Sequence, residues 1–193
     1  MFARTPRLLL RPGWAEDAPA LAAAIGDEAV VRNLATAPWP YGVREADDFL
    51  ALPHDAALPN FLLFQRTAGA PRLIGGCGIG TSPLGGLELG YWIARPYWGL
   101  GYATEAARHL VAIARALRLP RLTAGHFADN PASGRVLQKA GFRPTGQIAQ
   151  RFSQARGGPA PTVLFAEETD TSEGGGDADL PNDVRESWRQ MAA

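Results

Sequence analysis

The chain has 193 residues, 46% of them hydrophobic and 20% charged, with 19 basic side chains balanced by 19 acidic ones. One domain with a sizeable core is expected at this length, and zero net charge argues against a nucleic-acid binder that works by neutralising phosphates. A single cysteine, Cys77, excludes an intrachain disulfide and a cysteine-rich metal site. No apolar stretch approaches a membrane span or a signal-peptide core, so a soluble cytoplasmic protein without a membrane partner is expected.

Along the chain, Arg7–Arg11 reads as a first strand stopped by Pro12-Gly13. Glu16–Ile25 is Ala/Leu-rich and helical, Ala37–Gly42 breaks the pattern with two prolines, and Arg44–Leu52 gives a second short helix. Phe61–Phe64, Leu73–Ile79 and Leu87–Ala94 follow as strands, the last two separated by the Gly-rich turn Ser82–Gly86. The period then changes. Ala103, Ala107, Leu110, Val111, Ala114 and Leu117 fall on one face of a helix. Arg121–Phe127 returns to strand, and Asn130-Pro131 opens a helix that Gly141 closes, with Asn at the N-cap and Pro at the first helical position. Gln147–Phe152 and Pro161–Ala166 complete the body. Three consecutive strands followed by alternating strands and helices predict an α+β fold of three layers. Its centre is a mixed, mostly antiparallel sheet of about seven strands, with helices on both faces.

The zero charge hides an asymmetry. Residues 167–193 hold eight acids and two bases, a net −6 against +6 for residues 1–166. The expected organisation is a folded body, residues 1–168, and a flexible acidic tail, residues 169–193, with a short helix near Leu180–Met191.

The most informative segment runs from Glu88 to Glu105, a strand entering a turn with Gly99 and Gly101 and then an amphipathic helix. Glycines let the backbone approach a phosphate, and the first N–H groups of a helix are unpaired donors at its positive end. A dinucleotide-binding fingerprint fails because Thr104 stands at its third glycine, and no Gly-Lys-Ser/Thr of a Walker loop occurs. The segment resembles motif A of the GNAT superfamily of acyl-CoA N-acyltransferases, Gln/Arg-x-x-Gly-x-Gly/Ala. Gly101 and Ala103 match, and Trp98 stands where Gln or Arg is usual. That variant is similar to the subgroup named for ribosomal-protein N-terminal (Rim-type) acetyltransferases. So are Arg7–Pro12, Glu88–Trp92, Asn130–Ser133 and Val136–Phe142, and the likeness spans roughly residues 4–166 in order.

The resemblance implies acetyl-CoA as acyl donor, while the lack of metal-ligand spacing among the histidines leads to the expectation of no metal. The pantetheine arm would pair with the backbone of Trp92, Ile93 and Ala94, and the pyrophosphate would lie on the amides of Gly99, Leu100, Gly101, Tyr102, Ala103 and Thr104. Asn130 would both cap its helix and touch the cofactor arm. Amine acylation needs a neutral amine and a proton for the departing thiolate. Glu88, the one acid between Asp55 and Glu105, is the candidate base, with Asp129 and His126 as rivals. Ser133 is the candidate proton donor, as the Rim-type likeness implies, in a helix's first turn where developing negative charge is favoured. Trp39 and Tyr41 fall in a region that borders the acceptor pocket in that family, but packing of a loop onto the body is the better explanation of them. Cys77 reads as a small buried hydrophobe, and His54 and His109 lack metal-ligand spacing. The expected activity is transfer of acetyl to a primary amine, either a protein N-terminus or a small molecule, by a monomer or homodimer. The alternative is an acyl-CoA-binding module without turnover.

Overall fold

The computed structural model describes residues 1–53, 55 and 57–168. The expected tail and its helix near Leu180–Met191 lie outside the described residues, as does His54. Eight strands and five helices follow one another as β1 (Ala3–Arg4), β2 (Leu8–Arg11), α1 (Ala18–Ile25), α2 (Glu28–Val31), α3 (Val43–Leu50), β3 (Asn60–Gln65), β4 (Arg72–Thr81), β5 (Leu87–Ile93), α4 (Tyr102–Ala116), β6 (Leu122–Phe127), α5 (Pro131–Lys139), β7 (Phe142–Ser153) and β8 (Gly158–Glu167). They build one sheet in the order β1-β2-β3-β4-β5-β6-β8-β7. Every neighbouring pair is antiparallel except β5 and β6.

The mixed, mostly antiparallel sheet is as expected, with eight strands among the described residues against the expected seven or so. β1 folds straight back on β2 because Thr5 closes the turn twice, its N–H donating to the Leu8 carbonyl at 2.9 Å and its hydroxyl accepting from the Leu8 N–H at 3.0 Å. The one-turn helix α2 was also not expected; the Asp27 carboxylate caps it by accepting from the Ala29 N–H at 2.8 Å.

Strand alternation sends neighbouring side chains to opposite layers. Leu8, Leu10, Phe61, Leu63 and Ile74 meet Ala106, Ala107, Leu110, Val111 and Ala114 of α4 on one face. Leu62, Phe64 and Leu73 meet Ala18 and Leu21 of α1 and Ala46 of α3 on the other. The helical stripe expected on α4 is shifted at its ends. Tyr102 and Ala106 join the core, whereas Ala103 is half-buried and Leu117 exposed.

One polar anchor lies at the edge of the α1 layer. Arg11, at the end of β2, forms a bidentate pair with Asp17 at 2.7 and 2.6 Å, and both side chains are nearly buried. The guanidinium lies 3.9 Å from the Trp14 ring centroid and 4.2 Å from that of Phe64, while the Trp14 N–H donates to Asp17 at 2.8 Å. Planar stacking and a two-point carboxylate contact are what an arginine, and not a lysine, supplies.

Candidate active site

The β5–β6 ladder is short. Only Leu87↔Leu122 and Glu88↔Thr123 are in register, yet β5 continues to Ile93 and β6 to Phe127. Beyond Glu88 the facing edge of β5 therefore has no strand beside it, leaving a slot inside the sheet into which an extended ligand can insert. Such an edge offers backbone donors and acceptors at a strand's regular spacing. At the strand's end, the Trp98 indole N–H donates to the Ile93 carbonyl at 2.6 Å. The residue that departs from the family pattern thus folds the following turn back onto β5 and takes one of the acceptor positions expected for the cofactor arm.

That turn places both glycines in the left-handed region, Gly99 at φ +75° and Gly101 at φ +82°. Gly101 caps α4 without a side-chain acceptor, and Glu105 N–H to Gly101 O, at 3.0 Å, is the first helical bond here. The N–H groups of Tyr102, Ala103 and Thr104 are the uncapped first-turn donors, suited to an anion. Arg7 braces the loop from outside. Its guanidinium donates to the Leu100 carbonyl at 2.9 Å and to Glu105 at 2.6 Å, and lies 4.3 Å from the Tyr102 ring centroid. Burial alone would raise the carboxyl of Glu105, but the bonds from Thr5 and Arg7 outweigh it and hold the group below the usual carboxylate range. Alongside runs a groove of about 670 Å³ lined by Arg4, Arg7, Arg108 and Lys139, a cationic setting for a ligand with several phosphates. Replacing Gly101 with Val is expected to weaken CoA binding at least about tenfold, since a side chain in the left-handed region costs about 1–2 kcal/mol and the helix start would turn away. Calorimetric titration with CoA checks this; an unchanged Kd would uncouple the turn from the cofactor.

Glu88 and Ser133 do not meet; they belong to opposite faces of the sheet. Glu88 shares the face of Trp92, which packs among the α1 and α3 side chains, while Leu89 and Ile93 point into the α4 layer. Both Glu88 oxygens are held by Arg151 of β7, at 2.6 and 2.8 Å. Arg151 reaches that far because the β7–β8 hairpin tip is fastened across the face. The buried Ser153 hydroxyl donates to the Leu34 carbonyl at 2.9 Å, and the Gln154 N–H to Ala35 O at 3.0 Å. Arg156 donates to Arg32 O at 2.7 Å and grips Asp129 with two bonds of 2.9 Å.

On the other face, Asn130 caps α5, its side-chain oxygen accepting from the Ser133 N–H at 3.4 Å. The Ser133 hydroxyl lies 2.7 Å from that of Tyr91, which also donates to the Ser133 carbonyl at 3.0 Å. The rival bases have partners of their own, as Glu88 has in Arg151. Hydrogen bonds from Arg156, with the charges of Arg156 and Arg32, keep the Asp129 carboxyl below its usual range. His126 has Nδ1 at 2.8 Å from the Phe127 carbonyl. Its Nε2 sits against Gly134, where an added Cβ would come within 2.7 Å, so the imidazole is packed beneath α5. Cys77 is buried, and burial pushes its thiol up to about 12. Tyr41 packs against the same α1–α3 core as Trp92 and donates to the Glu45 carbonyl at 3.3 Å, whereas Trp39 is exposed. Among the described residues no group of three His, Cys, Asp or Glu could hold a metal, and no helix is long and apolar enough to cross a membrane.

Sequence reasoning had not found Arg7, Arg151 or Tyr91. Arg7 and Arg151 are two arginines among many, and their carboxylate partners lie 98 and 63 positions away. Tyr91 lies within the motif's strand, and its partner Ser133 is 42 positions away.

Comparison with known proteins agrees with this architecture. Residues 7–143 match the family model of the acetyltransferase (GNAT) domain. The chain is 27% identical over 169 residues to the uncharacterized N-acetyltransferase p20 of Bacillus licheniformis, covering 84% of this chain and 93% of that one. A GNAT-family acetyltransferase from Bacillus anthracis superposes with a TM-score of 0.71 at 23% identity, over 86% of this chain and 97% of the other. The ribosomal-protein-S5-alanine acetyltransferase of Vibrio fischeri gives 0.70 at 17%, over 90% and 100%. An open parallel slot, a glycine turn uncapped at the helix start and a match running through both thus have one reading: the chain belongs to the GNAT family and is an N-acetyltransferase.

Proposed function

We propose that the protein transfers acetyl from acetyl-CoA directly to a primary amine, with Ser133 as the acid that protonates the leaving thiolate and Glu88 as the base that accepts the amine proton. The observation carrying this is the slot between β5 and β6, which has Glu88 on one face and Ser133 on the other and opens toward the glycine turn. The residues fit the donor. An unpaired strand edge suits the amides of a pantetheine arm, uncapped amides at Tyr102–Thr104 suit a pyrophosphate, and the groove arginines suit a further phosphate. The Arg151 pair shapes the acceptor side, because an incoming amine, or the water that relays its proton, has to take over one of the Glu88 contacts.

In the transfer, the neutral amine nitrogen attacks the thioester carbon. A C–N bond forms and the C–S electron pair leaves on sulfur. Sulfur takes the Ser133 hydroxyl proton, the ammonium formed on nitrogen gives its proton to Glu88, and solvent restores both side chains. The acceptor is an α-amine, whether of a peptide or of a small molecule. An α-amine of pKa about 8 is already neutral to roughly a tenth at pH 7, and a lysine side chain at about 10.4 less than a thousandth. The carboxylate held in an ion pair therefore has far less to do for the former. The Vibrio fischeri neighbour is named for a protein alanine, which accords with this class.

The test is release of free CoA thiol from acetyl-CoA in the presence of peptides and small amines. Thiol release that depends on the acceptor, with α-amines outpacing ε-amines at pH 7, is expected. Tight CoA binding without acceptor-dependent release across the panel would return the reading to a binding module, which nothing in the relatives favours.

A further inference from the structure

The slot is open along its length, yet one pair of side chains crosses it on the α4–α5 face. Tyr91 belongs to β5, and Ser133 to the first turn of α5, which follows β6. Their hydroxyls are 2.7 Å apart, and the phenol is also 3.0 Å from the Ser133 carbonyl. Three oxygens thus share two hydroxyl protons. A phenol has one hydrogen to give, and so has a serine. When Tyr91 donates to the Ser133 carbonyl, its own oxygen is left to accept the serine proton. Ser133 then points its hydrogen at Tyr91 and has none for a leaving group. When Tyr91 donates to Ser133 Oγ instead, the serine hydrogen is released toward the slot.

The surroundings keep the phenol a donor. Burial pushes the Tyr91 hydroxyl up to about 12 despite the bond to Ser133, so it holds its proton throughout the neutral range. The phenol ring packs on the main core, which fixes the hydroxyl's position. The Ser133 N–H is held by Asn130, through its carbonyl at 3.1 Å and its side chain at 3.4 Å, so the backbone at Ser133 is fixed as well. The freedom left in the unit is rotation of the two O–H bonds and of the Ser133 side chain about Cα–Cβ.

We propose that Tyr91 is the positioning residue of the acid: its hydroxyl, by donating to Ser133 Oγ, turns the serine proton toward the departing thiolate and stabilises the oxygen that loses it. The proposal rests on Ser133 acting as that acid. Tyr91 transfers no proton itself. The C–S electron pair goes to sulfur, sulfur takes the Ser133 proton, and the serine oxygen is held by the Tyr91 O–H until solvent reprotonates it.

Tyr91→Phe removes the hydroxyl and keeps the ring, so the core contact survives. Thermal melts and CoA titration monitor the fold and the donor site. With acetyl-CoA, Tyr91→Phe is expected to lower kcat about 10- to 100-fold, less than the roughly 100- to 10,000-fold worth of an acid–base group itself, with KM for acetyl-CoA within about twofold. Ser133→Ala is expected to lower kcat at least as much, and the double variant no further than Ser133→Ala alone, because the two act as a unit. A donor whose leaving thiol has a much lower pKa, such as an acetyl thioester of an aromatic thiol appended to the same nucleotide, supplies the decisive readout. Its thiolate departs without a proton, so both variants should recover to near wild-type rates. A deficit in Tyr91→Phe that is equal with both donors would overturn the proposal, since it would mark a purely structural hydroxyl. So would an unchanged kcat with acetyl-CoA. If Ser133→Ala is silent while Tyr91→Phe is impaired and rescued by the better leaving group, the phenol is itself the acid and the positioning role falls. Absence of acceptor-dependent transfer by the unaltered protein would instead strike the function proposed above, and is read separately.

Discussion

Replacing Glu88 with Gln is expected to lower kcat about a hundredfold at neutral pH, the scale of a lost general base, while the affinity for acetyl-CoA stays where it was. Glutamine keeps the size of the side chain and one acceptor toward Arg151, but has no basic oxygen for the ammonium proton. Arg151→Met separates the two readings of this carboxylate. If Glu88 works as the base, freeing it from the guanidinium leaves the reaction running, and the Arg151 variant keeps most of its kcat. If the ion pair matters only as a tie between β5 and the β7–β8 hairpin, both substitutions loosen the same contact and depress kcat and thermal midpoint together. Steady-state kinetics and a melting curve on the two variants decide between them. Full kcat in Glu88→Gln would remove Glu88 from the chemistry and leave deprotonation to water.

The second large effect concerns stability. Asp17→Ala is expected to destabilise the fold by about 3–5 kcal/mol, because it leaves the nearly buried Arg11 guanidinium without its counter-charge. In a domain of this size that lowers the melting midpoint by on the order of 10 °C. The pH dependence follows from the direction of the Asp17 shift. Burial alone would raise its carboxyl, but the bond from Arg11, the Trp14 N–H and the Arg11 charge together bring it below the usual carboxylate range. A group with a depressed folded-state pKa adds stability above its unfolded value, and loses it as pH falls through the folded one. The stability gap between the unaltered protein and Asp17→Asn should thus be constant from about pH 5 to 8 and close below about pH 4. Urea unfolding at a series of pH values measures it, and a gap that persists at low pH would show that the pair acts through shape and not charge.

Much of the scaffold was legible because its signals are local. Asn130-Pro131 and Gly141 bracket α5 within a residue or two, and the apolar stripe of α4 needs only its own fifteen residues. The strands β3, β4 and β5 show as apolar or glycine-bearing runs between turn signals. What escaped was set at a distance or by a single side chain. β1 exists because Thr5 turns the chain, and α2 because Asp27 caps it. The start of β7 was missed since Pro144 and Gly146 interrupt it, and the register there shifts between Pro144 and Ile148. The candidate site divides in the same way. Its backbone part, the glycine turn, is a contiguous motif, while its ties, Arg7 to Glu105, Arg151 to Glu88 and Tyr91 to Ser133, join residues 42 to 98 apart. Each is one donor chosen from many of the same type, and only folding selects it.

The short β5–β6 ladder has a mechanical consequence. Past Glu88 the two halves of the sheet are two plates, held at their spacing by side chains: Tyr91 and Ser133 below, Glu88 and Arg151 above. The apolar core beneath α4 and α5 runs under both halves and keeps them in one body. The opening is thus bridged by side chains and not by backbone, and the ladders on either side keep their register without it.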